Sequence, residues 1–450
     1  MSFQAKLTTK LTEFSVDDAI VEMRNQVDPE ELNQLVRSLL EKLDKYDEQK
    51  LAQRNFDFLI GGRLLRLNVE EHLKLYSDEI DANEILNEKL VEVEYILSLE
   101  PPKPLEAVQH DDWVSCVDAN DSYIISGSYD NSIRIFSIND RKNLITIKEA
   151  HEKPVTKVKF VAQTKQTKAK KSNDVYFISC GHDEVSILRK FNTKTLKVEP
   201  IFTYKGHNRS VNCVDIFDDL AVTGSFDKTL RLWSISEDDQ DEGIEENGVD
   251  AAAGEAATRR TKKRKTSEKS ATKKTSGKSA IMTLTGHHES VTGVRWLGGC
   301  NGYNSVASCS MDRSICVWDV EVGECKRRVN SSKPILGIDY CDERNLIISA
   351  SCDRFVRLWD MRAADNSSAK TAYTSHTAWV SSVAFGRAST NHFISGGYDN
   401  VVKLWDIRSS KACLYDLIGH HDKVLDVNWS NPAFALSGSA DSTLKIFATK

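Results

Sequence analysis

The sequence predicts a mainly β protein built from one repeated unit and preceded by a small α+β domain. Three observations predict it. Seven segments of like composition each align on a single aspartate. A histidine and then a short apolar strand precede most of those segments. The first hundred residues lack both features and carry a clean amphipathic helix instead.

The repeat is read first, because internal periodicity outranks local propensity. The segments are "SGSYDNSIRIF", "SCGHDEVSILR", "TGSFDKTLRLW", "SCSMDRSICVW", "SASCDRFVRLW", "SGGYDNVVKLW" and "SGSADSTLKIF", aligned on Asp130, Asp183, Asp227, Asp312, Asp353, Asp399 and Asp441. Six residues after the Asp comes an aromatic in six of the seven: Phe136, Trp233, Trp318, Trp359, Trp405 and Phe447. The second unit has Arg189 there. In each unit a small-residue strand runs into a tight turn holding the Asp, and a strand of alternating polarity follows. Upstream stand His110, His151, His207, His287, His376 and His420, each ahead of an apolar strand as in "GHNRSVNCV"; the fifth unit has Asn330 and no His.

These units resemble the WD40 repeat, with "RLWD" (357–360) and "KLWD" (403–406) as its signature. The resemblance implies a seven-bladed β-propeller over 104–450, with four antiparallel strands per blade. It also implies a buried hydrogen-bonded chain in each complete blade: His207–Thr223–Asp227–Trp233, His287–Ser308–Asp312–Trp318 and His376–Ser395–Asp399–Trp405. These sets recur once per unit, whereas catalysis needs one asymmetric site, so they read as structural polar networks. The last unit stops at its third strand, and "PLEAVQH" (104–110) is expected to supply the missing outer one and so close an open edge.

Successive aspartates lie 41 to 53 residues apart, except for 85 between Asp227 and Asp312. The excess is a charged insertion at 236–280, between the third and outer strands of the third unit. A smaller insert, "QTKQTKAKKS", occupies 163–172. Like-charge runs with few apolar residues predict disorder for both. Residues just before the first strand and just before the turn Asp are expected to project from the other face. Trp113 and Tyr129 do so in unit one, Trp379 and Tyr398 in unit six, with Phe226 alone in unit three and Ala440 and Lys423 in unit seven. An aromatic patch over blades six, seven and one is the expected protein interface.

Residues 1–98 read as a separate domain. "DPEELNQLVRSLLEKL" (28–43) spaces Leu32, Leu35, Val36, Leu39, Leu40 and Leu43 on one helical face, with Asp28 as cap, Pro29 at the first position and Glu31 completing a capping box. "FDFLIGGRLLRL" predicts two strands around a Gly-Gly turn. "VEEHLKLY" (69–76) is a short helix and "KLVEVEYIL" (89–97) a strand. With an opening hairpin from "FQAKLTTKLTEF", the order ββαββαβ suits a ubiquitin-like α+β domain. A Pro-rich linker spans 99–106.

The pattern "FDFLIGGRLLR…HL…VEVEY" followed by "HDDWVS" resembles the NLE-domain WD-repeat subunits of the PeBoW ribosome biogenesis complex (Ytm-type WD40 proteins). That resemblance implies a non-enzymatic factor maturing large-subunit rRNA (5.8S and 25S/28S) and the pre-60S particle in the nucleolus and nucleoplasm. It implies a Bop-type propeller protein and Pescadillo as partners, and release by the midasin AAA ATPase acting on the NLE domain. In that family an acid is offered to the metal of midasin's adhesion site, a hard oxygen ligand for a hard cation. Glu88 is the matching position here, with Glu84 and Asp81 as rivals.

Composition narrows the alternatives. With 40% apolar and 28% charged residues the chain has the make-up of a globular protein; no 18-residue apolar window or apolar N-terminal core is present, so no membrane span or secretory signal is expected. The ten cysteines show no C-x-x-C pair, and no metal cluster, phosphate loop or cofactor site is expected. A notchless-type midasin-binding factor is one rival, though that family has eight blades. A cullin-RING substrate receptor is another, through the W-D-x-R arginines Arg362 and Arg408. Net charge is −6, yet ten of the 21 residues from Thr258 to Lys278 are Lys or Arg. Arg259, Arg260, Lys262, Lys263, Arg264 and Lys265 form an expected nuclear import signal; non-specific contact with pre-rRNA phosphates is the other use of such a block, and a merely solvated loop a third.

Overall fold

The computed structural model describes residues 2–10, 14–16, 19–42, 54–76, 90–162, 173–236, 276–298, 305–361, 369–387, 389–410 and 412–449. Its strands form one five-stranded sheet at the N-terminus and seven blade sheets, six of four strands and one of five. The chain divides into two compact units, one of residues 1–109, 343–363 and 368–450, the other of 110–342 and 364–367.

In the first unit, the N-terminal domain runs β1 (Ser2–Thr8), β2 (Ile20–Arg24), α1 (Pro29–Lys42), β3 (Phe56–Ile60), β4 (Arg63–Leu64), α2 (Val69–Tyr76) and β5 (Val91–Leu97), in sheet order β2-β1-β5-β3-β4. β1 and β5 are parallel, and the other pairs are antiparallel. Period-two patterning buries Phe3, Ala5 and Leu7 of β1 against Leu32, Val36 and Leu40 of α1. α1 starts where the sequence says: Pro29 needs no N–H partner, and the Asp28 carbonyl accepts from Leu32 N–H at 3.0 Å. Gly61 (φ 57°) and Gly62 (φ 74°) both occupy the left-handed region, which a two-residue hairpin turn of this hand demands.

The opening hairpin differs from expectation. The partner of β1 is "IVEMR" at 20–24, not the nearer "LTEF". A core-facing partner strand must place a buried side chain opposite Phe3, and Met23 does so. Phe14 instead packs edge-on to Phe56 at 5.7 Å, and its carbonyl accepts the Tyr95 hydroxyl.

The same unit holds blade six, with strands Val380–Phe385, His392–Gly397, Val402–Asp406 and Tyr415–Leu417, and the last three strands of blade seven, Val424–Asn431, Phe434–Ser439 and Thr443–Ala448. The fourth strand of blade seven is β6, Lys103–Gln109. It pairs antiparallel with the last strand of the chain, from Thr443↔Gln109 to Ala448↔Lys103. Ser381 Oγ–H of blade six donates to the Val424 carbonyl of blade seven at 2.6 Å.

The second unit holds blades one to four. Their first strands are Val114–Ala119, Val155–Phe160, Val211–Phe217 and Val291–Leu297. A hydroxyl or amide near the start of each reaches the next first strand: Ser115 to the Val155 carbonyl (2.6 Å), Thr156 to that of Val211, Asn212 to that of Val291 (3.1 Å) and Thr292 to that of Ile335 (2.7 Å). Every such donor is satisfied by a neighbouring sheet, so blades are joined by directed bonds as well as by apolar burial.

The expected disorder across 236–280 is corrected at its C-terminal end. Ser276–Lys278 forms a strand that pairs in parallel with the outer strand of blade two, Lys197–Tyr204, at Phe202↔Ser276, Thr203↔Gly277 and Tyr204↔Lys278. The reason is Lys278. Its side chain is buried, its ammonium lies 4.2 Å from the Phe202 ring centroid, and it donates to the Ser236 carbonyl at 2.6 Å. One cation thus ties both ends of the insertion together. Residues 237–275 lie outside the described residues, as does the 163–172 insert.

Candidate interaction sites and the turns that position them

Each complete blade uses its turn Asp as a two-way connector. In blade three, Asp227 Oδ1 accepts the backbone N–H and hydroxyl of Thr229, which holds the turn, while Lys228 adopts φ 72°. Oδ2 accepts from His207 Nδ1 at 2.8 Å and from Asn208 N–H at 3.1 Å, which ties that turn to the loop entering the blade. His207 Nε2 meets Thr223 Oγ1 at 2.8 Å, and Trp233 Nε1–H donates to the same oxygen at 2.8 Å. Every member of the chain has a partner when Nδ1–H donates to Asp227 and Nε2 accepts the Thr223 hydroxyl.

Blade four repeats this with His287–Asp312 (2.9 Å), His287–Ser308 (2.7 Å) and Trp318–Ser308 (2.7 Å). Blade six repeats it with His376–Asp399 (2.8 Å), His376–Ser395 (2.6 Å) and Trp405–Ser395 (2.8 Å). Thr223, Ser308 and Ser395 are wholly buried, so none is reachable as a nucleophile, and their function is to fix the turns.

Incomplete blades find substitutes. In blade five, where the His is missing, Arg357 pairs with Asp353 at 2.7 Å and Trp359 still donates to Ser349. In blade two, Arg189 occupies the Trp position. It is buried, and its guanidinium donates to Ser179 Oγ and to the Ala150 carbonyl, while His151 keeps its bonds to Asp183 and Ser179. Burial pulls the Arg189 pKa down to about 10, against the pull of the Asp183 charge. The arginine in "SILRKF" was visible in the sequence; that it would take over the indole's hydrogen bond was not.

The networks set a pH dependence. Burial opposes the charge on Asp227 and Asp312, but hydrogen bonds from His207 and Thr229, and from His287 and Ser314, outweigh it and hold both carboxyls well below the ordinary range. Burial lowers His151 and His420 despite their Asp partners. Both kinds of group bind protons more readily when unfolded. Their stabilisation is therefore complete above pH 6.5 and lost as pH falls, first with the histidines and again below the ordinary aspartate value of 3.8. A chemical-denaturation series from pH 7.5 to 3 is expected to show a monotonic fall in midpoint; a flat midpoint between pH 7 and 5 would contradict neutral buried histidines.

The same turns place the exposed aromatics. In blade six the N–H before the turn Asp donates to the carbonyl before the first strand, Tyr398 to Trp379 at 2.8 Å; the same bond joins Tyr129 to Trp113 (2.9 Å), Phe226 to Ser210 and Ala440 to Lys423. That bond sets the two side chains beside each other. Trp379 is 51% exposed and stacks on Tyr398 with centroids 5.8 Å apart, and the Lys423 ammonium lies 5.4 Å from the Tyr398 ring. In the other unit Trp113, 42% exposed, lies 5.5 Å from Tyr129, which meets His182 edge-on at 5.8 Å. Phe226 is exposed as well. Preorganised exposed aromatic pairs are the composition of a protein-binding hot spot.

A profile of the NLE (NUC135) domain matches residues 3–73, and one of the WD domain, G-beta repeat, matches 103–137, 198–234, 278–319, 323–360, 367–406 and 411–447. One interval without a repeat match, 138–197, holds Arg189. The chain is 42% identical over 449 residues to "Ribosome biogenesis protein WDR12 homolog" of Ixodes scapularis, covering 99% of this chain and 98% of that one. The chain belongs to the WDR12 family of ribosome biogenesis proteins. The Anopheles gambiae homolog is 32% identical, over 99% of this chain and 95% of its own. The crystal structure of the WD40 beta propeller domain of Doa1 superposes with a TM-score of 0.57 at 18% identity, over 78% of this chain and 97% of that one, a likeness of fold.

Against this family, three sequence expectations fall outside the described residues: the acids Glu88, Glu84 and Asp81, the basic block Arg259–Lys265, and Arg362. Arg408 is described, and it is engaged. Its guanidinium makes a two-pronged pair with Asp406, Nε to Oδ1 at 2.9 Å and Nη2 to Oδ2 at 2.6 Å.

Proposed function

We propose that this WDR12-family ribosome biogenesis protein acts as the propeller scaffold of a PeBoW-type complex. It joins a Bop-type propeller protein and Pescadillo, supports maturation of the 5.8S and 25S/28S rRNAs in the pre-60S particle, and is released by midasin acting on the NLE domain. The observation that carries this reading is the full-length kinship to ribosome biogenesis proteins across both the NLE domain and the blades. The exposed pairs Trp379–Tyr398 and Trp113–Tyr129 are the surfaces assigned to the Bop-type partner. Glu88 is the acid assigned to midasin's metal, with Glu84 and Asp81 as alternatives.

Affinity purification of the tagged chain with mass spectrometry tests it. Pre-60S proteins and the two PeBoW partners are expected. Recovery of a cullin adaptor instead would favour the ligase-receptor reading. Glu88→Ala is expected to retain the Bop-type partner and lose midasin; undiminished midasin would move the contact to Glu84 or Asp81.

The basic block is assigned to nuclear and nucleolar delivery. Deleting 255–275 is expected to shift a fluorescent fusion to the cytoplasm. The cut stops short of Ser276 because Ser276–Lys278 belongs to blade two. Nuclear retention of that variant would sink the import assignment, provided "KQTKAKK" (165–171) is neutralised as well.

A further inference from the structure

The N-terminal domain and blade six meet within one compact unit, and the meeting surface is chemically specific. The Tyr415 hydroxyl, on the outer strand of blade six, donates to the Leu99 carbonyl at 2.9 Å, at the exit of the N-terminal domain. The Leu99 side chain packs, together with Leu414 and Tyr415, against the apolar cluster of Leu404, Leu417, Trp429 and their neighbours. Just after the third strand of the same blade, Arg408, about a quarter exposed, is clamped to an Asp406 that is itself 1% exposed. The clamp engages both Asp406 oxygens through the Nε and Nη2 donors of Arg408.

Two of the charges acting on Arg408 come from the N-terminal sheet. Burial works against the Arg408 charge, but the Asp406 hydrogen bond and charge, followed by the charges of Glu94 and Asp57, raise its pKa above the ordinary value. Burial, then the Asp57 charge, raises Tyr415. Asp57 on β3 and Glu94 on β5 occupy adjacent strands, at Asp57↔Ile96 and Leu59↔Glu94. Each has a partner inside its own domain as well, Arg66 at 3.5 Å and Lys10 at 3.0 Å. Charges therefore alternate from blade six into the domain: Asp406, Arg408, then Asp57 and Glu94, then Arg66 and Lys10. Such a chain is stabilising when partly shielded and weakens with salt.

We propose that Arg408, Leu414 and Tyr415 form a docking surface for the protein's own N-terminal domain, a latch that holds its Asp57/Glu94 sheet face against blade six in the free chain. The latch explains why the W-D-x-R arginine of blade six is not a free recognition element. It also leaves the N-terminal domain in one preset pose, with release set by charge competition. The inference concerns the free chain alone and does not depend on which assembly recruits it.

The test uses the full-length protein and changes the domain side first, where blade folding is untouched. Asp57→Lys with Glu94→Lys is expected to increase the maximum dimension in small-angle scattering while the blade strands keep their hydrogen-exchange protection. Tyr415→Phe removes only the donor to Leu99 and is expected to raise hydrogen exchange of residues 98–100 roughly fivefold, the effect of one lost hydrogen bond. Arg408→Glu alone should open the molecule, and combining it with Asp57→Lys and Glu94→Lys should close it again. Wild type should open in about 0.5 M salt, where screening acts over only a few ångströms. A scattering profile of the Asp57→Lys/Glu94→Lys protein that superposes on wild type at both low and high salt, or unchanged exchange of residues 98–100 in Tyr415→Phe, would overturn the latch.

Discussion

Replacing Trp379 and Tyr398 together by alanine is expected to weaken binding to the proposed Bop-type partner by at least about 100-fold, or roughly 3 kcal/mol, while leaving the fold intact. The size follows from what the pair is. Two aromatic faces stack at 5.8 Å on a backbone clip between Tyr398 N–H and the Trp379 carbonyl, so little side-chain entropy is lost on docking. The fold should survive because Trp379 is 51% exposed and contributes little to the core. Titration calorimetry with the purified partner, beside a thermal melt, measures both effects. An unchanged dissociation constant would remove blade six from the interface. The parallel double variant Trp113→Ala/Tyr129→Ala then reports on blade one by itself, and loss in that variant alone would assign the interface there.

Arg189→Ala is expected to destabilise blade two by about 3 kcal/mol. Truncation leaves the Ala150 carbonyl without the donor that Arg189 supplies, and it opens a cavity where a long side chain was fully packed. Hydrogen exchange is the right measurement, because a chain of many blades need not unfold in one step. Local opening of strands Asp174–Gly181 and Ser186–Asn192 should rise about 100-fold while blades four and six stay protected. Arg189→Trp is the informative companion. An indole here can donate to Ser179 as Trp233 does to Thr223, and it removes a buried charge, so the exchange of that variant should match wild type or be slower. Wild-type exchange in the alanine variant would mean that Arg189 is packed but idle.

The two predictions differ in how much of each was legible in the sequence. The positions of Trp379 and Tyr398 relative to the turn Asp were enough to expect both to project from one face; the bond between Tyr398 N–H and the Trp379 carbonyl that sets them side by side came from the structure. Arg189 was visible only as a departure from pattern. Its use as a hydrogen-bond donor depends on how far a guanidinium reaches from that strand to Ser179 and Ala150 across the blade. The N-terminal domain divides the same way. α1, the Gly61–Gly62 turn and β5 follow from periodicity and turn chemistry. β2 was misplaced because local patterning cannot say which of two later segments pairs with β1, a choice made by Met23 opposite Phe3.

What the sequence by itself determined is everything carried by short-range repetition: the blade count, the Asp turns with their His and Ser or Thr partners, the separate N-terminal domain, and β6 as the closing strand. Those features rest on residues a few positions apart, or on one unit's likeness to the next. Only the tertiary structure decided three others. Ser276–Lys278 joins blade two because a single buried ammonium finds Phe202 and the Ser236 carbonyl. Arg189 replaces a tryptophan because two acceptors converge on it. Leu99 meets Tyr415 across more than three hundred residues of chain. Each of these is a long-range hydrogen bond or cation–π contact made by one side chain, and its free energy depends on distances that no periodicity in the sequence encodes.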